Sequence, residues 1–162
     1  MSVLKNKKIV KKKKPVLVAV SGYFNPLHVG HLEMIKMAKK LGDKLVVIVN
    51  NDKQVKLKGR VSFMSEDDRV TIVKSLRDVD RVVLAVDDYR WDNGEVPVIK
   101  TLAKLKPDIF ANGGDRKNLA NVPEAEVCKE HGIELVDGLG RKIRASSELI
   151  AKAAATKKIN KK

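Results

Sequence analysis

One cysteine in 162 residues, Cys128, leaves no partner for an internal disulfide. No cluster of cysteines and histidines shows ligand spacing, so no metal site is expected from the sequence. Cys128 itself reads as a half-buried helix residue. Long apolar runs are missing as well. The apolar stretch nearest the N-terminus, Val16 to Val20, is five residues long. That is too short for the apolar part of a signal peptide and far too short for a membrane span, so a cytoplasmic protein is expected. Aromatic residues are scarce at 4%. None is interleaved with the lysine-rich ends, which gives those ends no platform for stacking on bases.

What the sequence has in excess is positive charge, at a formal +14. Its location matters more than its size. Residues 1–14 carry seven lysines and no acid, and Lys157, Lys158, Lys161 and Lys162 close the chain. With most of the excess in the two ends, the body is only modestly basic. The expected organisation is a basic tail over 1–14, one domain over 15–155 and a short basic tail over 156–162. A nucleic-acid partner is not expected. Binding driven by the tails through counterion release is the alternative.

Between the tails two hydrophobic periods alternate. Continuous apolar runs at 16–20 and 45–49 read as strands buried on both faces, and 81–86, 108–111 and 133–136 read as three further strands. Helices fall between them. Leu32, Met34, Ile35, Ala38 and Leu41 keep helical spacing, with Gly42 placed for a helix C-terminus. Ser65 followed by Glu66, Asp67 and Asp68 reads as a capped helix start. Further helices are expected over 96–104, over 124–131 with Gly132 behind it, and after Ser146 or Ser147. Residues 87–95, with Tyr89, Trp91 and Gly94, read as a polar functional loop. Strand alternating with helix predicts an α/β, Rossmann-like, five-stranded parallel sheet with helices on both faces. Ligands of such sheets bind beyond the C-terminal strand ends.

The loop after the first strand is the most informative segment: Ser21-Gly22-Tyr23-Phe24-Asn25-Pro26-Leu27-His28-Val29-Gly30-His31. Gly22 permits close backbone approach to a ligand, and Asn25-Pro26 enforces a turn. His28 and His31 sit three apart across Gly30 at the opening of a helix. That position joins unpaired backbone N–H groups and the positive end of the helix dipole to two hydrogen-bonding imidazoles. The combination suits a polyphosphate, and suits still better the extra charge of its transition state.

The segment resembles the nucleotidyltransferase superfamily marked by His-x-Gly-His, whose members include glycerol-3-phosphate cytidylyltransferase, heptose-phosphate adenylyltransferase and archaeal FAD synthetase. The resemblance spans nearly all of residues 15–150 and is cytidylyltransferase-like in its middle region. It implies that His28 and His31 contact the triphosphate, with Gly22, Tyr23, Phe24, Asn25 and Gly30 around the nucleotide. It further implies that Lys58 and Arg77, in the run Asn51-Asp52, Lys58, Arg60, Arg69, Arg77, hold substrate phosphates. Gly113-Gly114-Asp115 is similar to the Gly-Gly-Asp of the heptose-phosphate enzymes and would meet base or ribose. Arg141-Lys142-Ile143-Arg144-Ala145-Ser146-Ser147 is similar to the family's Arg-Thr-x-Gly-x-Ser-Thr, which makes Arg141, Ser146 and Ser147 a second phosphate clamp. Asn25, Lys142 and Arg144 depart from the aspartate, threonine and glycine of those patterns.

By that resemblance the expected reaction moves CMP or AMP from CTP or ATP to a phosphate-bearing small molecule, releasing pyrophosphate. Magnesium would arrive with the nucleotide, and a homodimer is implied by resemblance alone. A non-catalytic nucleotide-binding protein of the same fold is the second alternative.

Overall fold

The computed structural model describes residues 13–113, 122–140 and 145–159. The strands are β1 (Leu17–Gly22), β2 (Lys44–Val49), β3 (Arg81–Leu84), β4 (Ile109–Gly113) and β5 (Glu134–Leu139). The helices are α1 (Val29–Lys39), α2 (Asp52–Leu57), α3 (Glu66–Lys74), α4 (Ile99–Leu105), α5 (Ala125–Glu130) and α6 (Ser146–Ile159). The sheet runs β3-β2-β1-β4-β5 with every pair parallel. This is the α/β, Rossmann-like arrangement expected from the alternating periods.

Strand alternation divides the core. Val18, Val20, Leu45, Val47 and Ala111 face α1 and α3, where they pack with Ile35, Ala38 and Val73. Ala19, Val46, Ile48 and Phe110 face α4 and α5, against Leu102, Val127 and Cys128. Both faces are therefore covered, which is why the central strands β1 and β2 carry the unbroken apolar runs Leu17–Val20 and Leu45–Val49. The edge strands β3 and β5 are only partly buried and admit Arg81, Glu134 and Asp137. Chain order reverses beside β1, with β2 on one side and β4 on the other. The crevice at such a reversal is where ligands of open α/β sheets bind.

Several local expectations are corrected. Gly42 does not close α1 in a left-handed conformation, because the helix ends through Lys40 in right-handed geometry. Gly42 is there for contact: a Cβ would lie 2.7 Å from Val18 Cγ2 and 2.8 Å from the Val16 carbonyl oxygen. The short α2 is a helix that periodicity misses. Its start is written in Asn51 and Gln54, which form a reciprocal capping box. Strand β3 stops at Leu84. The following Val86 N–H bonds the Thr101 hydroxyl instead of continuing the ladder. Helix α4 begins at Ile99, so Val96 and Val98 are buried loop residues. Ser65 does cap α3, accepting from Asp68 N–H at 3.1 Å, and Gly132 takes φ +65 behind α5. Helix α6 runs to Ile159, into the segment read as tail. No helix among the described residues is long and apolar enough to cross a membrane.

Candidate active site

The C-terminal end of β1 leads straight into the site. Gly22 must be glycine, since a Cβ there would lie 2.8 Å from the Phe24 ring. Phe24 adopts φ 50 and is 1% exposed, so the backbone turns sharply over a buried ring. The Asn25–Pro26 peptide is cis. Asn25 is buried and ties this loop to the next one, donating to the Val61 carbonyl at 2.9 Å and accepting from Phe63 N–H at 3.3 Å.

His28 then sits in extended conformation at the N-cap of α1, with His31 at the third helical position. The His28 backbone N–H donates to His31 Nδ1 at 3.3 Å, which leaves Nε2 to carry the proton in the neutral ring. The two imidazoles stack with centroids 3.8 Å apart, and the Phe24 ring meets His31 edge-on at 4.9 Å. Burial, and secondarily the neighbouring His28, pushes His31 down to about 4. At neutral pH His31 is therefore an uncharged hydrogen-bond donor.

The loop is braced from beneath by Arg69, which is fully buried. Its guanidinium donates to the Tyr23 carbonyl at 2.8 Å, the Asn50 carbonyl at 2.6 Å and Asp52 Oδ1 at 2.7 Å. These acceptors lie just past the ends of β1 and β2, so one side chain fixes both. Desolvation pulls the Asp52 carboxyl up, but hydrogen bonds from Arg69, Ser62 and the Glu66 N–H outweigh it and hold it below the usual carboxylate range.

Above these braces opens a cleft of about 610 Å³, within the size range of small-molecule sites. His28, Gly30, His31, Gly113, Ser146 and Ser147 line its α1 side. Tyr23, Lys58 and Arg60 line the other, with Gly22 between. Lys58 Nζ lies 3.3 Å from the Gly94 carbonyl and 3.4 Å from Glu95 Oε2. The Arg60 guanidinium lies 5.5 Å from the centre of the Tyr23 ring. Burial pushes the Tyr23 phenol up to about 12, keeping it neutral. The Ser146 hydroxyl donates to the Pro26 carbonyl at 2.9 Å, joining the start of α6 to the histidine loop.

Most of the sequence-derived site residues thus converge on one cleft. Phe24 and Asn25 stand behind it as supports and do not line it. Arg77 lies at the opposite end of the sheet: it precedes β3, is 87% exposed and pairs with its neighbour Asp78 at 3.7 Å. Its place in an inter-element turn leads to the N-terminal end of a parallel strand, away from the crevice. Gly114, Asp115, Arg141, Lys142 and Arg144 lie outside the described residues. The cleft adds residues that motif spacing did not single out, among them Asn50, Glu95, Asn112 and Glu124. Asn50 and Asn112 could have been found as polar residues at or just beyond the ends of buried strands. Glu95 closes the 87–95 loop read as functional but was not singled out within it, and Glu124 carried no such signal. Among the described residues no group of three histidines, cysteines or carboxylates is placed to hold a metal ion.

A parallel sheet with its cleft at the β1–β4 reversal and paired histidines at the α1 tip defines a nucleotide-binding α/β protein. The cytidylyltransferase-like family model matches residues 19–144, and the chain belongs to that family. It is 42% identical over 102 residues to an FAD synthase of Pyrococcus abyssi, covering 62% of this chain and 64% of that one. It is 36% identical over 146 residues to the bifunctional protein HldE of Streptomyces coelicolor, covering 85% of this chain and 28% of the other. A solved structure of a lipopolysaccharide core biosynthesis protein from Thermoplasma volcanium GSS1 superimposes with a TM-score of 0.61 at 30% identity, covering 78% of this chain and 98% of that one.

Proposed function

We propose that this chain is a nucleotidyltransferase that moves AMP from ATP onto the phosphate of FMN, forming FAD and releasing pyrophosphate. The observation that carries the reaction class is the stacked His28–His31 pair at the amide-rich tip of α1, facing the same cleft as Lys58 and Arg60. The choice of ATP over CTP and of FMN as acceptor rests on the likeness to an FAD synthase.

A phosphate oxygen of the acceptor attacks the α-phosphorus in line, the bond to the bridging oxygen breaks, and pyrophosphate leaves. The attacking phosphate is already ionised at neutral pH, so no general base is needed. What remains for the protein is positioning and charge stabilisation. The His31 Nε2–H, His28 and the α1 amides are disposed to donate to the triphosphate oxygens as charge builds. Lys58 and Arg60 bring positive charge to the phosphates from the other wall, and Ser146 and Ser147 add hydroxyls at the start of α6. Magnesium enters with the nucleotide as part of the substrate.

Loss of either imidazole removes a donor of the oxyanion-hole kind, costing about 2.7–4 kcal/mol, or on the order of 10²–10³ in kcat. The test is pyrophosphate release from ATP or CTP with FMN, sugar phosphates and polyol phosphates, in wild type, His28→Ala and His31→Ala. ATP with FMN should be the productive pair, and both variants should lose most turnover while keeping a native circular dichroism spectrum. Near-normal rates in both variants would overturn the catalytic assignment. Turnover confined to CTP, or to sugar phosphates, would overturn the substrate choice.

A further inference from the structure

The wall of the cleft opposite α1 contains more than phosphate ligands. Phe110 in β4 packs toward α4 and α5, and strand alternation places Asn112, two residues on, on that same face. Asn112 lines the cleft, and its amide Nδ2 is buried with no acceptor among the described residues. A buried donor is costly to leave unmatched, so a ligand that brings an acceptor gains there. Glu124 lines the same wall. It is 8% exposed, directly precedes α5, and accepts the Val98 N–H on Oε1 at 3.1 Å, which fixes the side chain between the starts of α4 and α5. A carboxylate has about four acceptor sites across its two oxygens, so Glu124 can take a ligand donor in addition to the partners it already has. Between and around these polar groups the wall is apolar: Val96, Val98 and Pro123.

We infer that Asn112 and Glu124 form an edge-reading subsite for an acceptor whose flat heteroaromatic ring presents an N–H beside a C=O, the ring N–H donating to Glu124 and the carbonyl accepting from Asn112. The apolar residues cover the ring's face. The subsite selects against phosphorylated sugars and polyols, which offer hydroxyls but neither a flat face nor a fixed N–H/C=O edge. The isoalloxazine of FMN carries such an edge at its N3 position. The inference rests on the nucleotidyl-transfer reading for its biological use, but the recognition itself is a binding property and is measured without turnover.

The experiment compares FMN with 3-methyl-FMN, in which the ring N–H is gone, by flavin fluorescence titration and by pyrophosphate release with ATP. Wild type should bind FMN at least about tenfold more tightly than the methylated analogue, about the worth of one hydrogen bond in a desolvated site. Glu124→Gln keeps an oxygen for the Val98 N–H but turns the other group into a donor. It should erase most of that discrimination while leaving the KM for ATP unchanged. Asn112→Asp exchanges the donor for an acceptor and should weaken FMN at least about tenfold, again with ATP unaffected.

Equal binding of FMN and 3-methyl-FMN by wild type overturns the inference, as does wild-type FMN affinity in both variants. Pyrophosphate release with sugar phosphates, and no flavin binding, sinks the edge-reading subsite but leaves nucleotidyl transfer standing. Selective FMN binding without pyrophosphate release does the opposite.

Discussion

Replacing Arg69 by methionine tests the brace beneath the cleft. The substitution keeps a long, buried side chain but removes every donor from a position that is 0% exposed. Two carbonyls, of Tyr23 and Asn50, lose their guanidinium contacts at 2.8 and 2.6 Å. Each buried acceptor left unmatched costs about 1–3 kcal/mol. Asp52 loses a partner at 2.7 Å, but its side chain is 34% exposed and keeps Ser62 and the Glu66 N–H. Water can replace Arg69 there, so that loss adds little. The sum is about 2–6 kcal/mol, which for a domain of this size lowers Tm by roughly 4–24 °C. Urea unfolding followed by circular dichroism measures the loss. The reasoning fails if Arg69→Met unfolds at the wild-type midpoint. Where Arg69→Lys remains folded, its kcat should still fall, because Nη1 holds both carbonyls while Nη2 holds Asp52, and a single ammonium cannot reproduce that planar two-armed reach.

Acid should weaken the fold through His31. Its folded pKa of about 4 lies below the ordinary 6.5, so below pH 6.5 the unfolded chain takes up a proton that the folded chain refuses. Stability from this group is whole above pH 6.5 and drains away as the pH falls toward 4, by about 3 kcal/mol in total. The difference between wild type and His31→Gln in urea unfolding from pH 7 to 4 isolates it, and a pH-independent difference would contradict it. Arg77→Ala should change stability by less than about 0.5 kcal/mol and leave both substrate KM values within twofold, since its side chain is almost fully in solvent and its pair with Asp78 is long. A tenfold rise in either KM would place Arg77 in the site after all. Glu95→Gln should shift stability by less than about 1 kcal/mol, because its pair with Lys58 is partly exposed on both sides. It should also lower the acceptor KM by removing a negative group beside an incoming phosphate, and a raised acceptor KM would show that Glu95 holds substrate instead.

The sheet was legible because its central strands are buried on both faces. Runs such as Leu45 to Val49, all 0% exposed, have no other soluble explanation once they recur between helical periods. The histidine loop was legible because it combines a close-approach glycine, a turn and two imidazoles at helical spacing. Arg69 and Arg77 show where reading along the chain fails. Both follow the same basic spacing, yet α3 carries Arg69 inward beneath the loop while the turn behind it carries Arg77 to the far end of the sheet. A linear pattern holds no information about which end of a parallel strand a turn faces until the topology is known. Asn112 and Glu124 were hidden for a related reason: they come from separate elements and become one wall only when β4 and α5 pack on the same face of the sheet.

The neutrality of His31 bears on why the site would favour the transition state. A cation at that position would bind a ground-state triphosphate tightly, and binding that both states share adds nothing to kcat. An uncharged Nε2–H pays less attention to charge already spread over the phosphates and more to the oxygen on which charge is increasing, because the hydrogen bond strengthens as its acceptor becomes more anionic. Burial under Phe24 and stacking against His28 are what keep the ring uncharged. The same packing fixes its direction through the Nδ1 contact with the His28 backbone. In the proposed mechanism the apolar ring beneath the loop and the catalytic electrostatics above it would be one device, and enlarging the space around Phe24 should then damage the chemistry before it damages nucleotide binding.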